Sequence, residues 1–274
     1  MSIKREPTYL VEQYVRPGRH MTVEQCHTLI TELRTFAATS LSPLPSYQCL
    51  SYVPRSLDDK LIIIIRQYDA PHDIVAFTST VFMDSMPSLE DKVEVPSSTV
   101  LHLGLTAVSP HLRGSQITKI LFYYVFCYMV TIHPQGFWLT SPAEVISSLG
   151  SVVNFAKDCY PTPGIKTPSP THLRIALEVD RKFRDVMLIS PNAVFDERTF
   201  VFKGSNQLGS CFRKEADEER YNYRNRELTV FFRALLGRGE WNEVLQVGYI
   251  DRNHLETVFK AANLNGGKVI PLKV

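Results

Sequence analysis

The sequence predicts an α/β fold in which a mixed sheet is flanked by helices, and three observations lead there. Apolar, β-branched runs at 60–67 (KLIIIIRQ), 73–83 (DIVAFTSTVFM) and 99–108 (TVLHLGLTAV) have the length and composition of strands. Residues 22–37 repeat Leu29, Leu33 and Phe36, with Cys26 and Ile30, at helical spacing. Finally, the run at 99–108 is followed by a tight turn, a helix at about 115–130 and a short strand at 136–140. That succession is a βαβ unit and implies a parallel strand pair.

In chain order, Thr22 and Gln25 have capping-box spacing, which starts the first helix by satisfying orphan backbone donors. Residues 41–57 carry three prolines and several serines and read as a loop. YDAPH at 68–72 has turn chemistry, so 60–67 and 73–83 form a hairpin, and their unbroken apolar character suggests burial on both faces. Residues 86–98 form a polar connection. A helix is expected over 143–159. Four prolines in 161–170 mark the clearest composition break. It divides a core of residues 1–160 from a C-terminal part, 161–274, that completes the sheet and extends the core. Beyond the break, 172–188, 225–236 and 251–262 read as helices and 199–203 and 243–250 as strands. Residues 213–227 mix both charge signs and read as a solvated face.

Composition narrows the function classes. The chain has 274 residues, 44% of them apolar, and a formal net charge of +2. A balance so near neutral supplies no whole-protein field for nucleic acid or anionic lipid. Acids interspersed among the arginines of 174–184 and 213–226 argue against a nucleic-acid face. The five cysteines, at 26, 49, 127, 159 and 211, are odd in number and contain no CxxC. They read as buried thiols in a reducing compartment, so a cytoplasmic location is expected. Met1 to Pro7 shows no apolar signal region. The apolar run 120–132 is bracketed by Lys119 and His133 and is well short of the ~20 residues of a membrane span. It reads as a buried helix, and no membrane partner is expected. No histidine or carboxylate spacing of a metal site appears, nor any GxSxG elbow or phosphate-binding GxxxxGK loop.

The segment from Val100 to Leu121, VLHLGLTAVSPHLRGSQITKIL, resembles the central segment of the GNAT superfamily of N-acyltransferases. Those proteins place a strand ending in valine, a proline-containing turn with an Arg/Gln-x-x-Gly-x-Gly/Ala pattern, and a long helix in this order. Val108-Ser109-Pro110 and the turn from Arg113 fit it, and the resemblance spans residues 60–160. It implies a GNAT-like core with a C-terminal extension. It also implies acetyl-CoA or another acyl-CoA as donor, with the pantetheine arm on the strand at Leu105, Ala107 and Val108. Its pyrophosphate would lie at Arg113, Gly114, Ser115, Gln116, Ile117 and Thr118. Asn154 on the later helix completes the implied donor set. Gln116 and Thr118 depart from the family, which normally has glycine at both positions. Independently of the name, a helix start offers unpaired N–H groups and a positive dipole end to a diphosphate. Gly104, inside an apolar strand, suggests a bulge or a close backbone approach.

Amine acylation requires a base for the attacking ammonium and an acid for the leaving thiolate. His102, on the strand before Gly104, is the first choice for base, because imidazole titrates near cellular pH. A core histidine held by hydrogen bonds is the alternative reading, and Glu144 and Asp84 are weaker choices. Tyr160, at the end of the 143–159 segment, is the candidate acid. Together these point to an acyl-CoA-dependent N-acyltransferase, acetyl being the expected group, acting on a small-molecule or peptide amine. The alternative keeps the fold but loses the donor, leaving another pocket enzyme or a binding and assembly module. The C-terminal hundred residues would then cover a pocket, pair with a second copy or recruit a partner.

Overall fold

A computed structural model of the chain describes residues 8–84, 100–206, 210–214, 217–261 and 268–272; the expected connection at 86–98 lies outside them. The elements up to the central helix are β1 (Thr8–Val15), α1 (Val23–Ala37), β2 (Lys60–Gln67), β3 (Ala70–Met83), β4 (Val100–His102), β5 (Thr106–Val108) and α2 (Ile117–Ile132). Then come β6 (Phe137–Ala143), α3 (Ile146–Phe155), β7 (Asp158–Tyr160), α4 (Pro170–Lys182), α5 (Arg184–Met187), β8 (Val194–Asp196) and β9 (Val201–Lys203). The last are α6 (Arg226–Leu236), β10 (Glu243–Ile250), α7 (Arg252–Ala261) and β11 (Lys268–Leu272).

The chain divides into two compact units, each discontinuous in sequence. The first comprises residues 1–82, 104–132 and 256–274; the second comprises 83–103 and 133–255, and so contains the proline-rich segment 161–170. In the first unit the strand order is β11-β1-β2-β3-β5. Only β1 and β11 run parallel, with Thr8 opposite Lys268. The hairpin expected from KLIIIIRQ is present, with Ile63 opposite Thr78. Leu61 to Ile65 are buried without interruption, so both faces of β2 are covered. The covering helices can be told apart by strand parity, since successive side chains alternate between faces. Phe36 of α1 packs on Phe77, whereas Tyr128 of α2 packs on Phe82, five residues along β3 and therefore on the opposite face. α1 starts as its sequence predicts. Thr22 Oγ1 accepts from the Gln25 N–H, and Gln25 Oε1 accepts from the Thr22 N–H at 2.8 Å, a cap worth about 1 kcal/mol. Its buried stripe is Leu29, Ile30, Leu33 and Ala37.

In the second unit the order is β4-β6-β10-β9-β8, with β7 also on β10. β4 and β6 are parallel, Val100 opposite Trp138 and His102 opposite Thr140, the pairing that the βαβ pattern implies. The other ladders in this unit are antiparallel. α4 packs Ile175, Ala176 and Val179 with Trp138, Phe200, Phe202 and Val247. α3 and α6 share a second cluster of Ile146, Leu149, Leu228, Phe232 and Leu236. Each unit is thus a mixed sheet with helices against it. The run 120–132 falls within α2, and no helix among the described residues is long and apolar enough to cross a membrane. The five cysteines are free thiols.

Candidate functional site

The strand expected over 99–108 is two strands. The Leu103 N–H donates to the Thr140 carbonyl at 2.8 Å, the last bond of that stretch to β6. The chain passes from the second unit to the first between Leu103 and Gly104. From Leu105 onward its partner is β3. A Cβ on Gly104 would lie 2.6 Å from the Ser79 carbonyl oxygen, so close approach of two backbones requires glycine here.

Among the described residues β5 pairs with β3 alone. The Ser79 N–H donates to the Leu105 carbonyl at 2.8 Å and the Ser109 N–H to the Val75 carbonyl at 2.9 Å. In an antiparallel ladder this fixes the alternation: 105, 107 and 109 turn their backbone groups toward β3, and Thr106 and Val108 turn theirs away. The Val108 carbonyl accepts from the Ser40 hydroxyl at 3.2 Å. The outward groups are therefore the N–H and C=O of Thr106 and the N–H of Val108. Leu105 and Ala107 hold their backbone groups on β3, and the outward register belongs to Thr106 and Val108.

After β5, a short 3-10 turn spans Pro110–Leu112 and α2 begins at Ile117. Arg113, Gly114, Ser115 and Gln116 are exposed. Ser115 directs both its N–H (3.1 Å) and its hydroxyl (2.5 Å) at the Leu112 carbonyl, so its amide is not an open donor. The N–H groups of Gly114, Gln116, Ile117 and Thr118 form no hydrogen bond among the described residues. Helix geometry explains Ile117 and Thr118, which have no carbonyl four residues back inside the helix. Gly114 has φ 81° and Gln116 φ 65°, and nothing lies within 4 Å of where a Gly114 side chain would start. The left-handed conformation at 116 is one that glycine adopts without cost. This gives a physical reason for the glycine the family pattern has there. The Gln116 side chain does not lie loose across the turn; its Oε1 accepts from Lys119 Nζ at 2.9 Å.

The other singled-out residues are in the second unit. His102 is fully buried, with Nδ1 3.4 Å from the Thr140 hydroxyl. Tyr160 does not end a helix: α3 stops at Phe155 and Tyr160 closes the short strand β7. Gly248, opposite Cys159, shows why, since the backbone after α3 is drawn into a ladder with β10. The Tyr160 hydroxyl donates to the Arg198 carbonyl, and burial raises its pKa. Asn154 is exposed on α3 and its amide donates to the Tyr223 hydroxyl. Glu144 is buried and bound by Asn206 at 2.9 Å. Asp84 is exposed.

No family model matches the sequence, and no curated protein is similar to it in sequence. Solved structures do match. Aminoglycoside N-acetyltransferase AAC(6′)-Iy, in complex with CoA, is 16% identical over 56% of this chain and 88% of its own, at a TM-score of 0.36. Arabidopsis thaliana NAA60, in complex with acetyl-CoA, is 14% identical over 51% of this chain and 81% of its own, also at 0.36. An IAA acetyltransferase from Bacillus cereus is 12% identical over 53% and 71%, at 0.30. Each is a likeness of chain arrangement over about half of this chain, and it says nothing of substrate.

Proposed function

We propose that the chain is an acyl-CoA-dependent N-acyltransferase whose donor lies along the outward edge of β5 and ends at the start of α2. One observation carries the reading. Within the first unit, the outward edge of β5 runs into an exposed turn in which the N–H groups of Gly114, Gln116, Ile117 and Thr118 form no hydrogen bond among the described residues. An extended pantetheine has two amides, and the Thr106 N–H and C=O and the Val108 N–H offer the complementary pattern. A diphosphate meets the N–H groups of Gly114, Gln116, Ile117 and Thr118 at the positive end of a 16-residue helix, beside the exposed Arg113. Acetyl is the proposed group and an amine the proposed acceptor. His102 as base and Tyr160 as acid enter through the resemblance; for Tyr160 to give its proton, its bond to the Arg198 carbonyl must open.

Thermal unfolding with acetyl-CoA and with desulfo-CoA tests the donor site. A ligand that binds only the folded chain at a hundredfold over its Kd stabilises it by about 2.7 kcal/mol, a rise of several degrees for a chain of this size. Both ligands should produce it. No rise at millimolar CoA would remove the donor and with it the transfer reaction.

A further inference from the structure

At the start of α4, in the second unit, a hydroxyl, an imidazole and a carboxylate stand in line. Ser169 Oγ is 2.7 Å from His172 Nδ1, and His172 Nε2 is 3.6 Å from Asp158 Oδ1. We propose that Ser169 is a nucleophile toward carboxylic esters, with His172 as its base and Asp158 positioning the ring.

The first argument is the tautomer. The Ser169 backbone N–H donates to His172 Nδ1 at 3.3 Å, and an amide N–H can only donate. Nδ1 is therefore an acceptor, and the ring proton is on Nε2, the nitrogen that faces Asp158. The Ser169 hydroxyl, on the same Nδ1 lone pair, must then be a donor, while its oxygen accepts the His172 N–H at 3.3 Å. A capping box ordinarily closes with Glu or Gln. Histidine in that place keeps the box and aims the serine proton at a nitrogen base.

Burial is the second argument. His172 is 2% exposed, its ring edge-on to Trp138 at 5.2 Å with Tyr160 at 6.1 Å, so its orientation is fixed by packing. Burial pushes the imidazole below its ordinary 6.5, and the Asp158 charge opposes that shift without cancelling it. The ring is thus a free base at neutral pH, the state that accepting a proton requires. Ser169 is half-buried beside the exposed Lys166, Thr167 and Pro170, within reach of a substrate from solvent.

The helix start supplies the third element. Pro170 has no N–H, and the Thr171 N–H forms no hydrogen bond among the described residues. It stands at the positive end of a 13-residue helix, which favours a developing oxyanion. In the reaction, Ser169 Oγ bonds to the ester carbonyl carbon while its proton passes to Nδ1, and that proton then goes to the leaving alkoxide. Water repeats the sequence on the acyl-serine, freeing the carboxylic acid and restoring the hydroxyl. The site stands whether or not the turn at Gly114 holds CoA.

Labelling of the full chain with a fluorophosphonate, mapped by mass spectrometry, tests it. Oγ bonds to phosphorus, fluoride leaves, and one adduct at Ser169 is expected. Ser169→Asn keeps a helix cap without the hydroxyl and should abolish the adduct. His172→Gln keeps the capping box without the base and should slow labelling about a hundredfold or more. The wild-type rate should fall in acid as the imidazole takes up its proton, and Asp158→Asn should move that fall to lower pH, since the Asp158 charge raises the imidazole pKa. p-Nitrophenyl acetate hydrolysis should follow the same order, with circular dichroism showing each variant folded. No adduct at Ser169 in the folded wild-type chain overturns the proposal. So does an equal labelling rate in His172→Gln, which would make Ser169 an ordinary surface hydroxyl.

Discussion

The turn at Arg113–Thr118 in the first unit and the polar cluster around Ser205 and Asn206 in the second are both rich in hydrogen-bonding groups, yet they dispose of them in opposite ways. In the cluster nearly every group has a partner. The Ser205 hydroxyl donates to Glu243, the Asn206 amide to Glu144 at 2.9 Å, the Asn206 N–H to the Trp241 carbonyl at 3.0 Å and the Gly204 N–H to Asn242 at 3.0 Å. Glu144 also accepts from the Lys214 backbone. In the turn, the N–H groups of Gly114, Gln116, Ile117 and Thr118 have none among the described residues. Buried polar groups must be paired or the fold loses several kcal/mol, whereas exposed ones are satisfied by water and remain exchangeable for a ligand. The difference teaches where to look for each kind of consequence: the cluster should speak through stability and pH, the turn through ligand affinity.

The largest expected effect breaks the cluster by pH. Burial pushes both Glu144 and Glu243 up to about 7 from an ordinary 4.5, and for Glu144 the neighbouring Glu243 charge adds to it. Arg213 and the Asn206 and Lys214 bonds pull Glu144 the other way and do not cancel the burial. The folded chain thus keeps protons that the unfolded chain releases. The contribution is fully present below about 4.5 and is lost as pH rises through about 7, so stability should fall across that window. Because the two carboxyls act on each other, the pair as a whole contributes on the order of a few kcal/mol. Urea unfolding at pH 5.5 and pH 8 measures it. Glu243→Gln, which imitates the protonated acid, should flatten the slope; a slope unchanged in that variant would assign it elsewhere.

A smaller effect sharpens the turn. Arg113 is exposed and its side chain makes no hydrogen bond or ion pair among the described residues, so Arg113→Ala should leave melting unchanged. If a diphosphate sits at the helix start, the same variant should weaken CoA about tenfold, the loss of one charge-assisted contact, and steepen no other property. Equal CoA affinity in the variant would place the phosphates away from Arg113.

The two regions were also unequally legible in the sequence. The turn was readable because its signals are local: a strand pattern, Ser109-Pro110, Gly114 and an apolar helix lie within about twenty consecutive positions. Helix α1 was readable for the same reason, through Thr22, Gln25 and the stripe of Leu29 and Leu33. The cluster was not, because Glu144, Ser205 and Glu243 are brought together by β9 and β10 pairing over a separation that no periodicity encodes. β1 escaped notice although Tyr9 to Val11 are buried, since its polar half, Glu12 to Tyr14, looks like surface until Arg66 is seen bound to Glu12. Tyr160 was misplaced because VVNFAKDCY continues an apolar pattern in which the helix end and the short strand differ by tertiary pairing alone.

The smallest predicted effect concerns the one residue where the turn's geometry and its sequence disagree. Gln116 holds φ 65° in a position that glycine fills without strain, and a left-handed residue with a side chain costs on the order of 1–2 kcal/mol. Against that stands its bond to Lys119 at 2.9 Å, an exposed contact worth only a few tenths of a kcal/mol. Glycine also enlarges the entropy of the unfolded chain, which removes part of the gain. The balance favours Gln116→Gly by roughly 0.5 kcal/mol, a rise in melting temperature of one or two degrees. The same change removes a side chain from among the four open N–H groups, so CoA should bind more tightly, while Gln116→Ala, which keeps the Cβ and the strain, should lower melting and give less of the affinity. If glycine destabilises the chain instead, the Lys119 contact outweighs the backbone term, and the departure of this turn from glycine is a local structural choice rather than an obstacle that the phosphates must tolerate.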